Sequence, residues 1–224
     1  MSGAVEQLRL PFGFAEARRR SDFLVSEANR AAVAMLTRAA WPRPHLALIG
    51  PAGSGKSHLA RIWAEETGAT PLAVRGSEGG PPPEGAVVFE DADRAVGDPA
   101  AEQALFHLLN AVGEQGGRLL LTARRAPAQW GSGLPDLASR LSALPVAEIH
   151  APDDILLSSL LVKLFRDRQL SVPPVVVQQI AARIERSYEA ATEVVAALDD
   201  ASLAERRTIS HKLAASVLER QSKN

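Results

Sequence analysis

The chain has 224 residues, 46% hydrophobic and 23% charged, and its 25 basic side chains nearly balance 26 acidic ones for a net charge of −1. That apolar share is enough to bury a core, and the near-neutral balance removes any global pull toward nucleic acid or an anionic membrane. The absence of cysteine excludes disulfides, thiolate catalysis, iron–sulfur clusters and cysteine zinc sites, and 4% aromatic residues are too few for a base-stacking platform.

Residues 1–13 read as a tail ending in Pro11-Phe12-Gly13, without the long apolar stretch of a secretory signal. No run is long enough to span a bilayer, so a soluble cytoplasmic protein is expected. Arg18-Arg19-Arg20 reads as a solvated basic face, with a contact to DNA or a partner as the alternative. Ser26 is placed to cap a helix to about Ala40, with Val33 and Leu36 inward, stopped by Trp41-Pro42-Arg43-Pro44. His45 to Ile49 is a short apolar run that predicts a buried strand. A helix follows to Thr67, ended by Gly68. Pro71 to Val74 predicts a weak second strand, and the Gly/Pro-rich stretch 76–85 a loop. Ala86 to Phe89 predicts a third strand, and Pro99–Glu114 a helix with Leu105, Leu108, Leu109 and Val112 on one face. Arg118 to Thr122 and Val146 to Ile149 predict two more strands.

From Ala151 the pattern is helical only. Pro152-Asp153-Asp154 opens one helix, Pro173-Pro174 a second through Arg186, and Ser187 caps a third through Leu203. The last runs from Ser210 to Arg220. The predicted fold is therefore α/β: a five-stranded parallel sheet flanked by helices, followed by a small all-helical part. The expected division is a tail over 1–13, a nucleotide-binding base over 14–150 and a helical lid over 151–224.

Between the first strand and its helix stands Gly50-Pro51-Ala52-Gly53-Ser54-Gly55-Lys56-Ser57, followed by His58. This is the P-loop pattern in its proper context. Glycines let backbone N–H groups wrap a phosphate, Lys56 reaches the β- and γ-phosphates, and the Ser57 hydroxyl is a Mg²⁺ ligand. The helix N-terminus adds a positive dipole end. At the end of the third strand, Glu90-Asp91 supplies two carboxylates: Glu90 for the Mg²⁺ shell and Asp91 to polarise an attacking water. His58, His107 and His150 are too scattered for a metal site, and Trp41, Trp63 and Trp130 are expected to pack.

Four segments make the chain resemble the AAA+ domains of the DnaA initiator family, in particular its short regulatory members that inactivate the initiator. Gln7-Leu8-Arg9-Leu10-Pro11-Phe12 is similar to a sliding-clamp docking motif; Gln7, Leu8, Leu10, Pro11 and Phe12 carry the likeness. Gly55-Lys56-Ser57-His58-Leu59 is similar to the family's GKTHL. Leu134-Pro135-Asp136-Leu137-Ala138-Ser139-Arg140-Leu141 resembles its arginine-finger box, which implies that Arg140 acts in trans on a partner's ATP. The helices from 151 resemble its lid. The resemblance implies an AAA+ fold, ADP or ATP with Mg²⁺ as cofactor, a DnaA-type initiator and the polymerase III sliding clamp (beta subunit) as partners, and a bacterial cytoplasm. DnaA proteins continue into a DNA-binding domain beyond their lid; with the neutral charge, direct sequence-specific DNA binding is not expected here, nor a membrane partner. The head-to-tail contact of the family leaves a homodimer open.

The sequence also departs from that family. Glu90 stands at the metal position, Arg124 where the family has a sensor Asp, and Glu189 where the lid has a sensor Arg, with Arg183 and Arg186 as substitutes nearby. Thr122 remains as a possible γ-phosphate sensor. These changes all weaken hydrolysis in cis. Three readings stay open: a clamp-tethered regulator that stimulates hydrolysis of initiator-bound ATP, an initiator- or helicase-loader-like ATPase acting on its own ATP, and a non-catalytic clamp adaptor.

Overall fold

The structure is a computed structural model and describes residues 24–73, 84–205 and 207–221. The docking motif Gln7–Phe12 and the run Arg18-Arg19-Arg20 lie outside the described residues.

Five strands form one parallel sheet: β1 His45–Ile49, β2 Thr70–Ala73, β3 Ala86–Glu90, β4 Arg118–Ala123 and β5 Val146–Glu148, in the order β2-β3-β4-β1-β5. Both faces are buried, as a parallel sheet requires. Successive residues split between two cores with period two. Ala47, Ile49, Val87, Phe89, Leu119 and Leu121 join α3 (Pro99–Glu114) and α4 (Pro135–Ser142) on one face. Leu46, Leu48, Val88 and Leu120 pack on the other against α1 (Arg30–Leu36) and α2 (Lys56–Thr67). There Trp41 and Trp63 stack with ring centres 5.1 Å apart, and the Arg118 guanidinium lies 5.5 and 5.4 Å from the two rings.

The C-terminal helices α5 Asp154–Asp167, α6 Pro174–Ala181, α7 Tyr188–Glu205 and α8 His211–Gln221 build a third core around Leu157, Leu161, Ile180, Val194 and Leu198. Leu24, far away in sequence, packs against it. Side-chain caps set the starts of α3, α5 and α7. The Asp98 carboxylate accepts from Ala100 N–H, Asp153 from Leu156 N–H, and the Ser187 hydroxyl from Ala190 N–H. Among the described residues no helix is long and apolar enough to cross a membrane.

Two helices differ from expectation. α1 begins at Arg30 and ends at Leu36, shorter at both ends than the predicted span. Asn29 explains the start: its Oδ1 accepts from Ser26 N–H and its Nδ2 donates to Leu24 O, ordering a turn ahead of the helix. At the far end Trp41 Nε1–H donates back to Leu36 O while the ring packs in the core, which draws the chain out of helix. α6 stops at Ala181 instead of Arg186. Its last turn tightens through Arg183 N–H to Ile180 O, so that Ser187 can open α7. The second strand starts one residue earlier than predicted, at Thr70.

Candidate functional site

β1, which lies between β4 and the edge strand β5, ends at Ile49, and the chain turns at once through the glycine loop into α2. Gly50 is required by close approach: a Cβ there would stand 2.3 Å from Ile149 O. Gly55 takes a left-handed backbone (φ 93) at the start of α2, which side chains disfavour. The Lys56 ammonium is buried against the loop, donating to Gly50 O at 2.9 Å and Pro51 O at 2.7 Å. Burial lowers its pKa; Asp91 opposes that shift, Arg124 adds to it, and Asp93 opposes it again. The Ser54 hydroxyl is buried with no hydrogen-bond partner among the described residues. Ser57 is exposed and His58 half-buried in the first turn of α2. This cradle fits a phosphate: a loop shaped by glycine, an orphaned hydroxyl, a cation held at its base and a helix N-terminus behind it.

The acidic side of the site is built by β3 and β4 together. Glu90 closes β3, and Asp91 follows in the left-handed region (φ 52, ψ 40). Backbone strain of this kind concentrates at functional sites. Thr122, buried at the end of β4, holds the turn by accepting from Asp91 N–H at 3.0 Å. Its hydroxyl thus positions an acidic residue. Asp93, which sequence reasoning did not select, accepts from Arg124 N–H at 3.0 Å and ties β4 to the acidic turn. The Arg94 guanidinium lies 3.4 Å from Asp91. Among the described residues no group of three or more His, Asp or Glu side chains could hold a metal alone, so a Mg²⁺ ion at Ser57 and Glu90 would need phosphate oxygens to complete its shell.

The C-terminal helices reach this loop directly. Tyr188 N–H, at the start of α7, donates to Gly53 O at 2.7 Å. Gly53 has φ +64, and a Cβ there would lie 3.0 Å from Glu189 Cβ and 3.1 Å from Ser187 Cβ. The residue facing the phosphate loop from α7 is therefore Glu189, an acid. Arg186 is engaged elsewhere, with Asp154 at 2.7 Å. Burial pushes the Tyr188 phenol up to about 12.

Arg140 sits in the last turn of α4, whose Leu137 and Leu141 are buried. Its guanidinium is 5.3 Å from the centre of the Phe106 ring. It borders a groove with Arg43, His45, Asn110 and Glu114. His45 opens β1, while the phosphate loop follows Ile49 at the other end. At ~3.3 Å per strand residue those two ends are about 13 Å apart. Burial, with Arg140 adding to it, holds the His45 imidazole below its ordinary value. So the structure gathers Gly50 to His58, Glu90 and Asp91 at one edge of the sheet and sets Arg140 at the opposite edge.

No family model matches the chain. Among solved structures, it is similar to domain III of the Thermotoga maritima replication initiation protein DnaA, at 16% identity and TM-score 0.76 over 91% of this chain and 96% of that one. AMPPCP-bound DnaA from Aquifex aeolicus matches at 14% identity and TM-score 0.65, covering 83% of this chain and 68% of that one. The Thermotoga maritima RuvB Holliday junction branch migration motor matches at 16% identity and TM-score 0.59, covering 78% and 61%. The fold is that of an AAA+ P-loop ATPase domain. At these identities the likeness establishes architecture, and chemistry has to be argued from the residues themselves.

Proposed function

We propose that this protein is a nucleotide-holding regulator of replication initiation that stimulates hydrolysis of ATP bound to a DnaA-type initiator, as the Hda proteins do. The observation that carries the reading is the placement of Arg140. An arginine at the edge of the sheet opposite its own phosphate loop has no access to its own nucleotide. It is exposed, next to a groove, on a short rigid helix. A neighbour stacked head-to-tail would bring its phosphate loop to that edge. Arginine suits the role because its guanidinium stays charged and its planar fork matches phosphate oxygens.

The cis site supports the same reading. Gly50 to Ser57 hold the phosphates of ADP or ATP, and Ser57 with Glu90 takes the Mg²⁺. The bound nucleotide supplies negative charge that the loop N–H groups, Lys56 and the α2 N-terminus neutralise. Against hydrolysis in cis stand Glu189 at the loop and Arg124 just past the end of β4. In this reading residues 14–150 are the base and 151–224 the lid that Gly53 and Tyr188 couple to the nucleotide. The motif Gln7–Phe12 tethers the protein to the sliding clamp on DNA, so a weak body-to-body contact suffices through effective concentration. The competing reading, an ATPase acting on its own nucleotide, is favoured by the intact Lys56 and the nearby Asp91.

The test is hydrolysis of labelled ATP preloaded on a DnaA-type initiator, with clamp loaded on DNA. Acceleration that requires both this protein and the clamp supports the regulatory reading. Steady turnover by the protein alone, without effect on the initiator, supports the competing one.

A further inference from the structure

The structure assigns Glu102 a positioning role: from α3 its carboxylate ties down the segment Ser132–Leu134 from which α4 and Arg140 are launched. This inference rests on Arg140 acting in trans. Glu102 is 4% exposed, and its two oxygens are fully used. Oε1 accepts from Gly97 N–H at 2.9 Å and Gly133 N–H at 3.3 Å. Oε2 accepts from the Ser132 hydroxyl at 2.8 Å and Leu134 N–H at 3.2 Å. Three of these four donors come from consecutive residues 30 to 32 positions away. A buried carboxylate is costly unless every acceptor is satisfied, so this arrangement is specific.

The geometry connects the anchor to the guanidinium. Leu134 immediately precedes α4: its N–H is held by Glu102, and its C=O accepts from Ala138 N–H at 2.9 Å as the first helical bond. Arg140 lies six residues on, about 9 Å along the axis at ~1.5 Å per residue. A tilt of about 6° at Leu134 therefore moves Arg140 by about 1 Å, and misplacement on that scale costs on the order of a hundredfold in rate. The three donors Ser132–Leu134 hold the helix from its base, while Phe106, also on α3, supports the guanidinium near its far end. One helix thus fixes α4 at two points. The pKa of Glu102 is lowered, first by Gly97 N–H and then by the Ser132 hydroxyl, as expected of a carboxylate that the fold keeps ionised.

Glu102→Gln tests the assignment. An amide has one carbonyl oxygen, so at least two of the four donors lose their acceptor while the volume is kept. With full-length protein, clamp on DNA and ATP-loaded DnaA-type initiator, the stimulated rate at saturating protein should fall about tenfold. The half-saturating concentration should change less than twofold, since the docking surface is untouched. A merely structural role would lower the folded fraction and raise that concentration instead. Amide exchange of Gly133 and Leu134 in the isolated protein should speed up. If Glu102→Gln does not fold, Ser132→Ala, which removes one of the carboxylate's four donors and the hydroxyl oxygen that Leu134 N–H also donates to at 3.2 Å, should lower the saturating rate two- to fourfold. Normal saturating rates in these variants, with Arg140→Ala inactive, would overturn the positioning role, as would unchanged exchange at the two amides. Normal stimulation by Arg140→Ala would bring down the trans reading beneath it.

Discussion

Two glycines with the same backbone and different surroundings allow the seam between the phosphate loop and the C-terminal helices to be weighed. Gly68 (φ +70) ends α2, and a Cβ there would meet nothing within 4 Å. Gly53 (φ +64) would place its Cβ 3.0–3.1 Å from Glu189 and Ser187. Gly68→Ala therefore measures the left-handed backbone cost alone, about 1–2 kcal/mol. Gly53→Ala carries that cost and must also push α7 away, weakening the Tyr188 N–H to Gly53 O bond of 2.7 Å. Losing that bond adds about 1 kcal/mol. At roughly 2–4 °C per kcal/mol for a chain of this size, Gly68→Ala should lower the Tm by about 2–8 °C, and Gly53→Ala by several degrees more. Only Gly53→Ala should also change the affinity for ADP. The assay is thermal melting of both variants with and without ADP. Equal Tm losses and equal ADP-induced shifts would refute the claim that α7 is coupled to the loop through Gly53.

The remaining predictions concern single groups. Thr122→Val leaves Asp91 N–H without its acceptor; stability should drop by about 1–3 kcal/mol, measured by denaturant unfolding, and no drop would mean that Thr122 does not hold the acidic turn. Lys56→Ala removes the cation at the base of the loop and should weaken ADP binding about ten- to a hundredfold, the worth of a charged hydrogen bond; a titration showing unchanged affinity would contradict the cradle. Both His45 and Glu102 have pKa values lowered by the fold. A lowered folded-state value means that the unfolded chain binds more protons, so stability is present above the unfolded pKa and is lost as pH falls through the folded one. Acid should thus act in two stages, the first below the ordinary histidine value of 6.5 and the second below the ordinary carboxylate value of 4.5. Glu102→Gln should remove the second stage from a melting series across pH, and its persistence would show another carboxylate to be responsible.

What the sequence discloses and what it conceals follows the range of the interactions. The phosphate loop, the stop at Gly68 and the helix starts at Pro152-Asp153-Asp154 and Ser187 are local, and the structure places them where the pattern does. The ends of α1 and α6 are also set by short-range contacts, Asn29 Oδ1 with Ser26 N–H, Trp41 Nε1–H with Leu36 O and Arg183 N–H with Ile180 O, but these are side-chain and turn contacts that apolar periodicity does not display. Asp93 and Thr122 gain meaning only across about thirty residues, where β3 and β4 lie side by side. Glu102 left a trace that went unread. It falls at the spacing of Leu105, Leu109 and Val112, a charge on the buried stripe of α3, and a charge there has to be satisfied by partners from elsewhere. The opposite placement of Arg140 and the phosphate loop follows from sheet topology, since one end of β1 carries the loop and the other faces α4.

The most direct test of the account is the lifetime of ATP on a DnaA-type initiator mixed with clamp on DNA and either the wild-type protein or Arg140→Ala. The account predicts that the wild type shortens that lifetime by orders of magnitude, within the ~10³–10⁵ range of arginine fingers. The variant should still bind ADP, melt normally and leave the lifetime unchanged. A variant that shortens it as well as the wild type does would show that Arg140 is not the residue that reaches the partner's ATP.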